Sequence, residues 1–170
     1  SASRRTRDMA QWIVSTKDNL NMPFAIVDKV NAKVYVFDAV GQFYGAAPVL
    51  LGHAKGDHSP PGIGDKPLSS ILPAERTTPA GRFVSVIGRN HKGKEILWLD
   101  YKQSLSMHAV VKGLARDRRA ERLGTPTPLD NRISFGCINV PTDFFKAMIQ
   151  GKFTEAGGVV YILPETKGFG

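Results

Sequence analysis

Residues 133–141, ISFGCINVP, contain the only cysteine of the chain, Cys137, which directly follows Gly136. Glycine lets the backbone turn tightly, so the thiol is expected to lie at a turn. A lone cysteine is commonly an inert core thiol, because cysteine is among the most buried residue types. The alternative is a nucleophile, which would need partners from elsewhere in the chain.

The length and composition of the chain limit its class. A chain of 170 residues is expected to form one domain whose hydrophobic core is stable without disulfides or a structural metal. Its single cysteine excludes an internal disulfide. The net charge of +8 favours anionic partners such as nucleic acid, anionic lipid surfaces or carboxylate-rich polymers, without choosing among them. No run approaches the roughly 20 apolar residues of a membrane span, and the chain begins without an apolar signal core.

The spacing of apolar residues predicts a mainly β fold with flanking helices. An amphipathic helix is expected from about Arg4 to Leu20, with Trp12 among its packing residues, in an extension of residues 1–22 that precedes a domain of residues 23–170. Short β-branched and aromatic runs predict strands at residues 24–27, 33–37, 43–51, 83–88, 96–100, 105–111 and 159–163. A helix with Thr142 as its N-cap is expected after the cysteine.

Two irregular stretches are candidates for a site. Residues 52–75 are rich in glycine and proline and are expected to form a lid or a substrate-side loop. The histidines and aspartates of this loop lack a persuasive ligand spacing, so no metal and no cofactor is expected. The basic residues 112–130 form either a solvated helix face or an excursion that brings cations to the rim of a site for an acidic substrate.

A nucleophilic cysteine needs a base that generates the thiolate and backbone N–H groups that receive the oxyanion. His108 lies 29 residues before Cys137 on a separate predicted strand, so any contact between the two is tertiary. Taken alone, His108 also fits a hydrogen-bonded strand histidine. The turn at Gly136 and Cys137 is expected to point amides into a cleft.

Four segments, in order, resemble the L,D-transpeptidase catalytic domain, also called the YkuD domain. His108-Ala109 and residues 134–139, SFGCIN, are similar to its His-Gly and Ser/Thr-His-Gly-Cys-Ile/Val-Arg/Asn motifs. Residues 78–83, TPAGRF, are similar to its Thr-Pro-x-Gly-x-Phe segment, and residues 34–37 and 48–52 to its opening strands. The resemblance covers about residues 24–163 and implies a YkuD-like β-sandwich of mixed sheets, with residues 23–170 as the catalytic domain.

The resemblance also implies a reaction. Cys137 would attack the diaminopimelate carbonyl of a donor stem tetrapeptide of peptidoglycan, release D-alanine, and pass the acyl group to an amine of another stem peptide, which forms a cross-link. His108 would take the thiol proton and Ser134 would shape the site, while Gly136 and Asn139 would serve the oxyanion and the substrate. The implied partners are peptidoglycan stem peptides, with carbapenems as covalent inhibitors. The implied role is cell wall biogenesis in the periplasm or bacterial cell envelope.

Two residues depart from the family pattern. Phe135, which is expected to contact the substrate, replaces the His that precedes Gly-Cys in the family motif. Ala109 replaces the Gly that follows the first His of the family pattern. Phenylalanine cannot titrate or donate a side-chain hydrogen bond, so His108 is the only candidate base in the matched motifs.

Other functions stay open on the sequence. With water as acceptor the same site would be an L,D-carboxypeptidase, and with a protein–peptidoglycan linkage as substrate it would be an amidase. A non-catalytic peptidoglycan-binding domain would account for Phe135 as the trace of a lost activity. Nucleic-acid binding is not expected, because no recognised motif or interleaved aromatics accompany the basic stretch.

Overall fold

A computed structural model describes residues 2–111, 118–125, 127–153 and 156–166. Its strands are β1 (Phe24–Asp28), β2 (Lys33–Phe37), β3 (Phe43–Pro48), β4 (Leu51–Gly52), β5 (Gly81–Arg89), β6 (Glu95–Asp100), β7 (Leu105–Ala109), β8 (Arg132–Ser134), β9 (Ile138–Val140) and β10 (Gly158–Ile162). Its helices are α1 (Arg4–Thr16), α2 (Arg119–Leu123) and α3 (Thr142–Phe144), and α3 continues as a π-helical segment over Phe145–Gln150. Residues 112–117 of the basic stretch lie outside the described residues.

The strands form an eight-stranded mixed sheet in the order β3-β2-β1-β10-β5-β6-β7-β9 and a two-stranded sheet of β4 and β8. Strand β5 is shared, because its residues up to Ser85 pair with β10 and its residues from Val86 onward pair with β6. Residues from both halves, such as Val27 and Met107, pack into one apolar cluster, so the halves face each other across a common core. The prediction of a mainly β fold with mixed sheets is confirmed.

Strands β1 and β10 are parallel and fully buried, which explains their continuous apolar sequences. Phe24 and Ile26 of β1 pack with Ile13 of α1 in a second cluster, whereas Val27 faces the main core. Helix α1 ends at Thr16 and not at Leu20, because Lys17 takes a left-handed conformation and donates its N–H to the Ile13 carbonyl.

The strand predicted over residues 43–51 is wrong in its extent, because the chain leaves the large sheet after Pro48 and β4 pairs with β8 in the small sheet. The other predicted strands differ from the observed ones only at their ends. The meander of β1, β2 and β3 is antiparallel as expected, and so is the hairpin of β5 and β6. The helix after the cysteine begins at Thr142, but Pro141 is its N-cap and Thr142 is its first helical residue. In the long loop, short 3-10 turns occur at Ile63–Asp65, Leu68–Ser70 and Pro73–Glu75.

A buried group of four charged residues fastens the start of this loop to the body of the domain. We call Lys29, Asp57, Arg132 and Glu165 the anchor network. Lys29 Nζ lies 2.8 Å from Asp57 Oδ1 with both side chains inaccessible to solvent, and Arg132 pairs with Glu165. The Asp57 carboxylate also accepts the backbone N–H of Glu165 at 2.8 Å. Burial lowers the pKa of Lys29, against the opposing effect of these carboxylates.

Candidate active site

The candidate site is built on one face of the adjacent parallel strands β7 and β9. His108 is in register with Asn139. Ser106 and Cys137 each precede these residues by two positions, so all four side chains lie on the same face of the sheet. We call these four residues the thiol row. The residues between them, Met107 and Ile138, point to the opposite face and belong to the main core. Because successive side chains of a strand alternate between its two faces, one face forms the core and the other forms the candidate site. The structure thus brings together the predicted Cys137, His108 and Asn139.

The His108 ring hydrogen bonds to its own strand through Nδ1 and interacts with Cys137 on the neighbouring strand. Its Nδ1 lies 2.8 Å from the carbonyl oxygen of Ala109, which places the proton on Nδ1 in the neutral ring and leaves Nε2 for the thiol. Burial disfavours the imidazolium, but the hydrogen bond to Cys137, the thiolate charge and the Ala109 carbonyl together raise the pKa of His108. The ring is therefore oriented to accept the thiol proton and to keep it.

The thiol shifts in the opposite direction. Burial disfavours the thiolate, but the hydrogen bond and charge of His108, followed by hydrogen bonds from Ser106, lower the pKa of Cys137. Cys137 remains partly exposed to solvent. A lowered thiol pKa, a raised imidazole pKa and partial exposure are expected of a nucleophilic cysteine.

Two contacts to the sulfur come from residues that sequence analysis missed. Ser106, which is 3% exposed, donates its hydroxyl to Cys137 Sγ at 3.5 Å, and the Ser104 carbonyl accepts the S–H at 3.3 Å. Ser106 was within reach of sequence analysis, because it lies two residues before His108 on a strand whose other residues are apolar. Ser104 acts through its backbone, so its side chain carried no signal.

The turn before the thiol is held by Ser134 and Thr78. Ser134 Oγ accepts the Gly136 N–H at 3.1 Å and donates to the Cys137 carbonyl at 2.6 Å. Thr78 donates to the Gly136 carbonyl at 2.6 Å. Gly136 has φ +132°, and a Cβ there would lie 2.8 Å from the Thr77 carbonyl oxygen, so this position requires glycine.

The two amides predicted to bind the oxyanion therefore differ. The Gly136 N–H is already bonded to Ser134 Oγ. The Cys137 N–H makes no hydrogen bond within the described residues, so it is the donor of the pair that is available to an oxyanion. Ser134 is the last residue of β8, and its hydroxyl fixes the backbone of the following turn through Gly136 and Cys137.

The Phe135 side chain packs against Arg76, at the end of the long loop. The Arg76 guanidinium lies 4.1 Å from the centre of the Phe135 ring, and Arg76 also donates to the Ile71 carbonyl. This cation–π contact ties the Phe135 side chain to the long loop. Position 135 contributes an aromatic surface between the loop and the turn.

Asn139 is completely buried and connects the site to helix α2. Its Nδ2 donates to the Cys137 carbonyl at 3.3 Å, and its Oδ1 accepts Arg119 Nη1 at 3.1 Å. The charge of Arg119 acts on His108, where it opposes the rise of the imidazole pKa. A cation of the basic stretch thus lies at the site, which favours the second of the two interpretations of that stretch.

The long loop lines a cavity whose lining includes none of the four residues of the thiol row. Residues 57–65, 79–83 and the β6–β7 turn, including Gln103, enclose about 550 Å³. The turn continues into Ser104, whose carbonyl touches the sulfur. Within the described residues, no cluster of His, Cys, Asp or Glu has the arrangement of a metal site.

No protein-family model and no curated protein matches the chain. A solved L,D-transpeptidase is similar to it. The structure, of LdtMt1 in complex with imipenem, is 15% identical and gives a TM-score of 0.45, with 83% of this chain and 58% of the other chain covered. The chain therefore spans less than two thirds of that protein's length. In the described residues, no helix has the length and apolar character needed to cross a bilayer.

Proposed function

We propose that the protein is a cysteine-dependent peptidoglycan L,D-transpeptidase. The observation that carries the proposal is the placement of Cys137 and His108 on one face of the paired strands β7 and β9, with the imidazole oriented by the Ala109 carbonyl. The interaction of the two groups raises the pKa of His108 and lowers the pKa of Cys137, which agrees with an ion pair. The substrate class comes from the resemblance of residues 134–139 and 78–83 to the motifs of that family. The geometry supports the chemistry and the motifs indicate the substrate.

In the first half of the proposed reaction, the Cys137 thiolate attacks the diaminopimelate carbonyl carbon of a donor stem tetrapeptide. The carbonyl becomes an oxyanion, towards which the Cys137 N–H is available as a donor. His108, protonated by the thiol, gives that proton to the nitrogen of the departing D-alanine as the carbon–nitrogen bond breaks. A thioester on Cys137 remains.

In the second half, an amine of a neighbouring stem peptide attacks the thioester. His108 removes a proton from this amine, the new amide bond forms and the Cys137 thiolate leaves. The raised pKa of His108 suits both halves, because the ring must hold a proton in the first and accept one in the second. Water in place of the amine would turn the same site into a carboxypeptidase.

The proposal is tested by incubating the protein with purified muropeptides and, separately, with a carbapenem. We expect new cross-linked dimers and an intact mass increased by one carbapenem on Cys137, and neither in Cys137→Ala. Ser104→Gly is the matched control, because it keeps the carbonyl that touches the sulfur.

The outcomes separate the alternatives. Trimmed tripeptides without dimers would replace the transpeptidase by a carboxypeptidase, and release of a protein-linked stem would replace it by an amidase. Absence of both adduct and turnover would favour a non-catalytic peptidoglycan-binding domain. A peptidoglycan substrate also places the protein in the periplasm or bacterial cell envelope, and we propose that location together with the activity.

A further inference from the structure

The outer face of the large sheet, on which helix α1 and the thiol row both lie, is apolar and open between them. Ile13 of α1 packs with Val159 of β10 on this face. Val84 of β5 is in register with Val159 and points to the same face, as does Val86 two residues later. These two valines are 49% and 36% exposed. Exposed apolar patches of this kind mark binding surfaces more often than isolated apolar residues do.

Trp98 continues this surface to the candidate active site. It is in register with Val86 of β5 on one side and with Ser106 of β7 on the other, so the three side chains form one row across three strands. Ser106 donates its hydroxyl to the Cys137 sulfur at 3.5 Å. Strand β6, which carries Trp98, lies two strand spacings, or roughly 10 Å, from strand β9 beside the thiol.

Tyr101 enlarges the aromatic part of the surface. Its ring packs against that of Trp98, with centroids 5.0 Å apart and planes inclined at 32°, and the side chain is 64% exposed. The turn that carries Tyr101 also reaches the thiol, because the Ser104 N–H donates to the Tyr101 carbonyl at 3.1 Å and the Ser104 carbonyl contacts the Cys137 sulfur. We call Trp98 and Tyr101 the aromatic platform.

The hairpin of β5 and β6 holds the platform in place. Gly88 lies against the indole of Trp98, and a Cβ at this position would come within 2.7 Å of Cδ1, so a larger residue would displace the ring. The indole N–H donates to the Arg89 carbonyl at 3.3 Å, which satisfies the polar atom of the ring within the protein. A ring fixed in this way loses little side-chain freedom when a ligand packs on it.

We propose that the aromatic platform binds a sugar ring of the glycan strand that carries the donor stem peptide. This inference rests on the proposed function. In peptidoglycan the first residue of each stem peptide is attached to a sugar, and the carbonyl that Cys137 attacks belongs to the third. Three extended residues span about 10–11 Å, which matches the separation of β9 from β6.

The chemistry of a sugar ring fits this surface. The axial C–H bonds of a pyranose make one face of the ring apolar, and C–H groups pack favourably on the electron-rich face of an aromatic ring. The stem peptide offers methyl groups and charged side chains, but no ring and no large apolar surface. The four exposed positions of the patch, Val84, Val86, Trp98 and Tyr101, carry no charge, so an ionic ligand has no partner among them.

The first test observes the platform directly by fluorescence. The chain has two tryptophans, so Trp12→Phe leaves Trp98 as the only emitter. The probe is glycan strands from which an amidase has removed the stem peptides. We expect a saturable change in Trp98 emission, and adding Tyr101→Ala should weaken the binding about fivefold. In the control variant Trp98→Phe, emission from Trp12 should not respond to the probe.

Two results of this titration would overturn the inference. One is Trp98 emission that does not respond to the stripped glycan strands. The other is a response to the sugar-free tetrapeptide and not to the glycan, because that would assign the platform to the stem peptide.

The second test compares turnover of two donors, the tetrapeptide with its disaccharide and the tetrapeptide alone. Tyr101→Ala and Trp98→Ala should each lower the ratio of kcat/KM for the disaccharide donor to kcat/KM for the free peptide about fivefold. The control is Tyr44→Ala, a partly exposed tyrosine beside Lys152 on the edge strand β3, which should keep the ratio of the wild type.

The ratio corrects for a general loss of activity, because the free peptide reports that loss separately. An unchanged ratio in Tyr101→Ala, or an equal fall in Tyr44→Ala, would overturn the inference. If neither donor is turned over, the proposed function fails, while the fluorescence titration still decides whether the platform binds a sugar.

Discussion

The protein contains two buried polar groups that are built in opposite ways. In the anchor network, Lys29 Nζ has three oxygen partners, Asp57 Oδ1 and the carbonyls of Gly56 and Thr78, and the Asp57 carboxylate is also bonded to backbone N–H groups. In the thiol row, Cys137 has weak sulfur contacts at 3.3 and 3.5 Å together with its bond to His108. The charges of the anchor network are held in place because their hydrogen bonds are satisfied. The Cys137 sulfur has fewer and weaker contacts, so it is free to react.

The two groups meet at Thr78. Its carbonyl accepts Lys29 at 2.7 Å, while its hydroxyl donates to Gly136 in the turn before the thiol. The residue therefore connects a rigid support to a reactive turn. The comparison teaches that the segment resembling Thr-Pro-x-Gly-x-Phe contributes to the site by fixing its backbone.

The largest expected effect tests the reactive group. His108→Gln should reduce iodoacetamide alkylation of Cys137 at pH 7 about a hundredfold, because the thiolate loses the cation that lowers its pKa. In the wild type, the rate should fall only as the pH drops through the lowered pKa of Cys137. In the variant, the midpoint should move up to the ordinary thiol range or above it.

The measurement is the pH dependence of the alkylation rate by intact mass. His91→Gln, an exposed histidine in the β5–β6 turn, serves as the control and should leave the midpoint unchanged. An unshifted midpoint in His108→Gln would show that the imidazole does not set the thiol pKa.

The second largest effect is expected in the anchor network. Asp57→Ala should lower the free energy of unfolding by about 3–5 kcal/mol, because it leaves the buried Lys29 charge without its carboxylate. Urea unfolding measures this change. Lys66→Ala, which removes an exposed pair with Glu75, should leave the urea unfolding midpoint almost unchanged, because solvent screens that pair. If both variants lose the same small amount, the anchor network is not what distinguishes the two regions.

A smaller effect is expected from Ser106→Ala. Loss of the hydroxyl that donates to the sulfur should raise the thiol pKa, because this hydrogen bond is one of the interactions that lower it. Iodoacetamide alkylation at neutral pH should slow severalfold while the unfolding midpoint in urea changes little. Ser104→Gly keeps its carbonyl and should match the wild type. An unaltered pH profile in Ser106→Ala would reduce Ser106 to a packing residue.

The smallest effect is expected at the position that departs from the family pattern. Phe135→His would replace the ring that lies under Arg76, at a cost of about 0.5–1 kcal/mol of stability. Alkylation of Cys137 should stay within about threefold of the wild type, because in the proposed mechanism His108 is the base and its interaction with Cys137 is unchanged. A tenfold or greater rise in rate would mean that Phe135 marks a lost catalytic contribution.

Local patterns accounted for much of the fold. Short β-branched and aromatic runs located β1, β2, β5, β6 and β7, and the motif residues located Cys137 and His108. What local patterns could not supply is the parallel pairing of β7 with β9, since that register depends on how the whole sheet closes. Trp12, expected to pack, is 50% exposed, because the sheet receives Ile13 on a neighbouring face of the helix.

The rest of the site depends on contacts between distant residues. Arg119 reaches Asn139 across 20 residues, and Lys29 reaches Asp57 and Thr78 across 28 and 49. A basic run and a lone lysine look like ordinary surface residues in the sequence. Their roles depend on which distant segments pack against them, and local sequence patterns do not determine that packing.

The position of β10 has a consequence for biosynthesis. This strand lies between β1 and β5 in the middle of the large sheet, although it follows all the other strands in the chain. Until the ribosome has released residues through Ile162, β1 and β5 each present an unpaired edge, and the nascent chain holds two incomplete half-sheets. Closure of the sheet therefore waits for β10, and until then a strand from a second nascent chain competes for the open edges of β1 and β5.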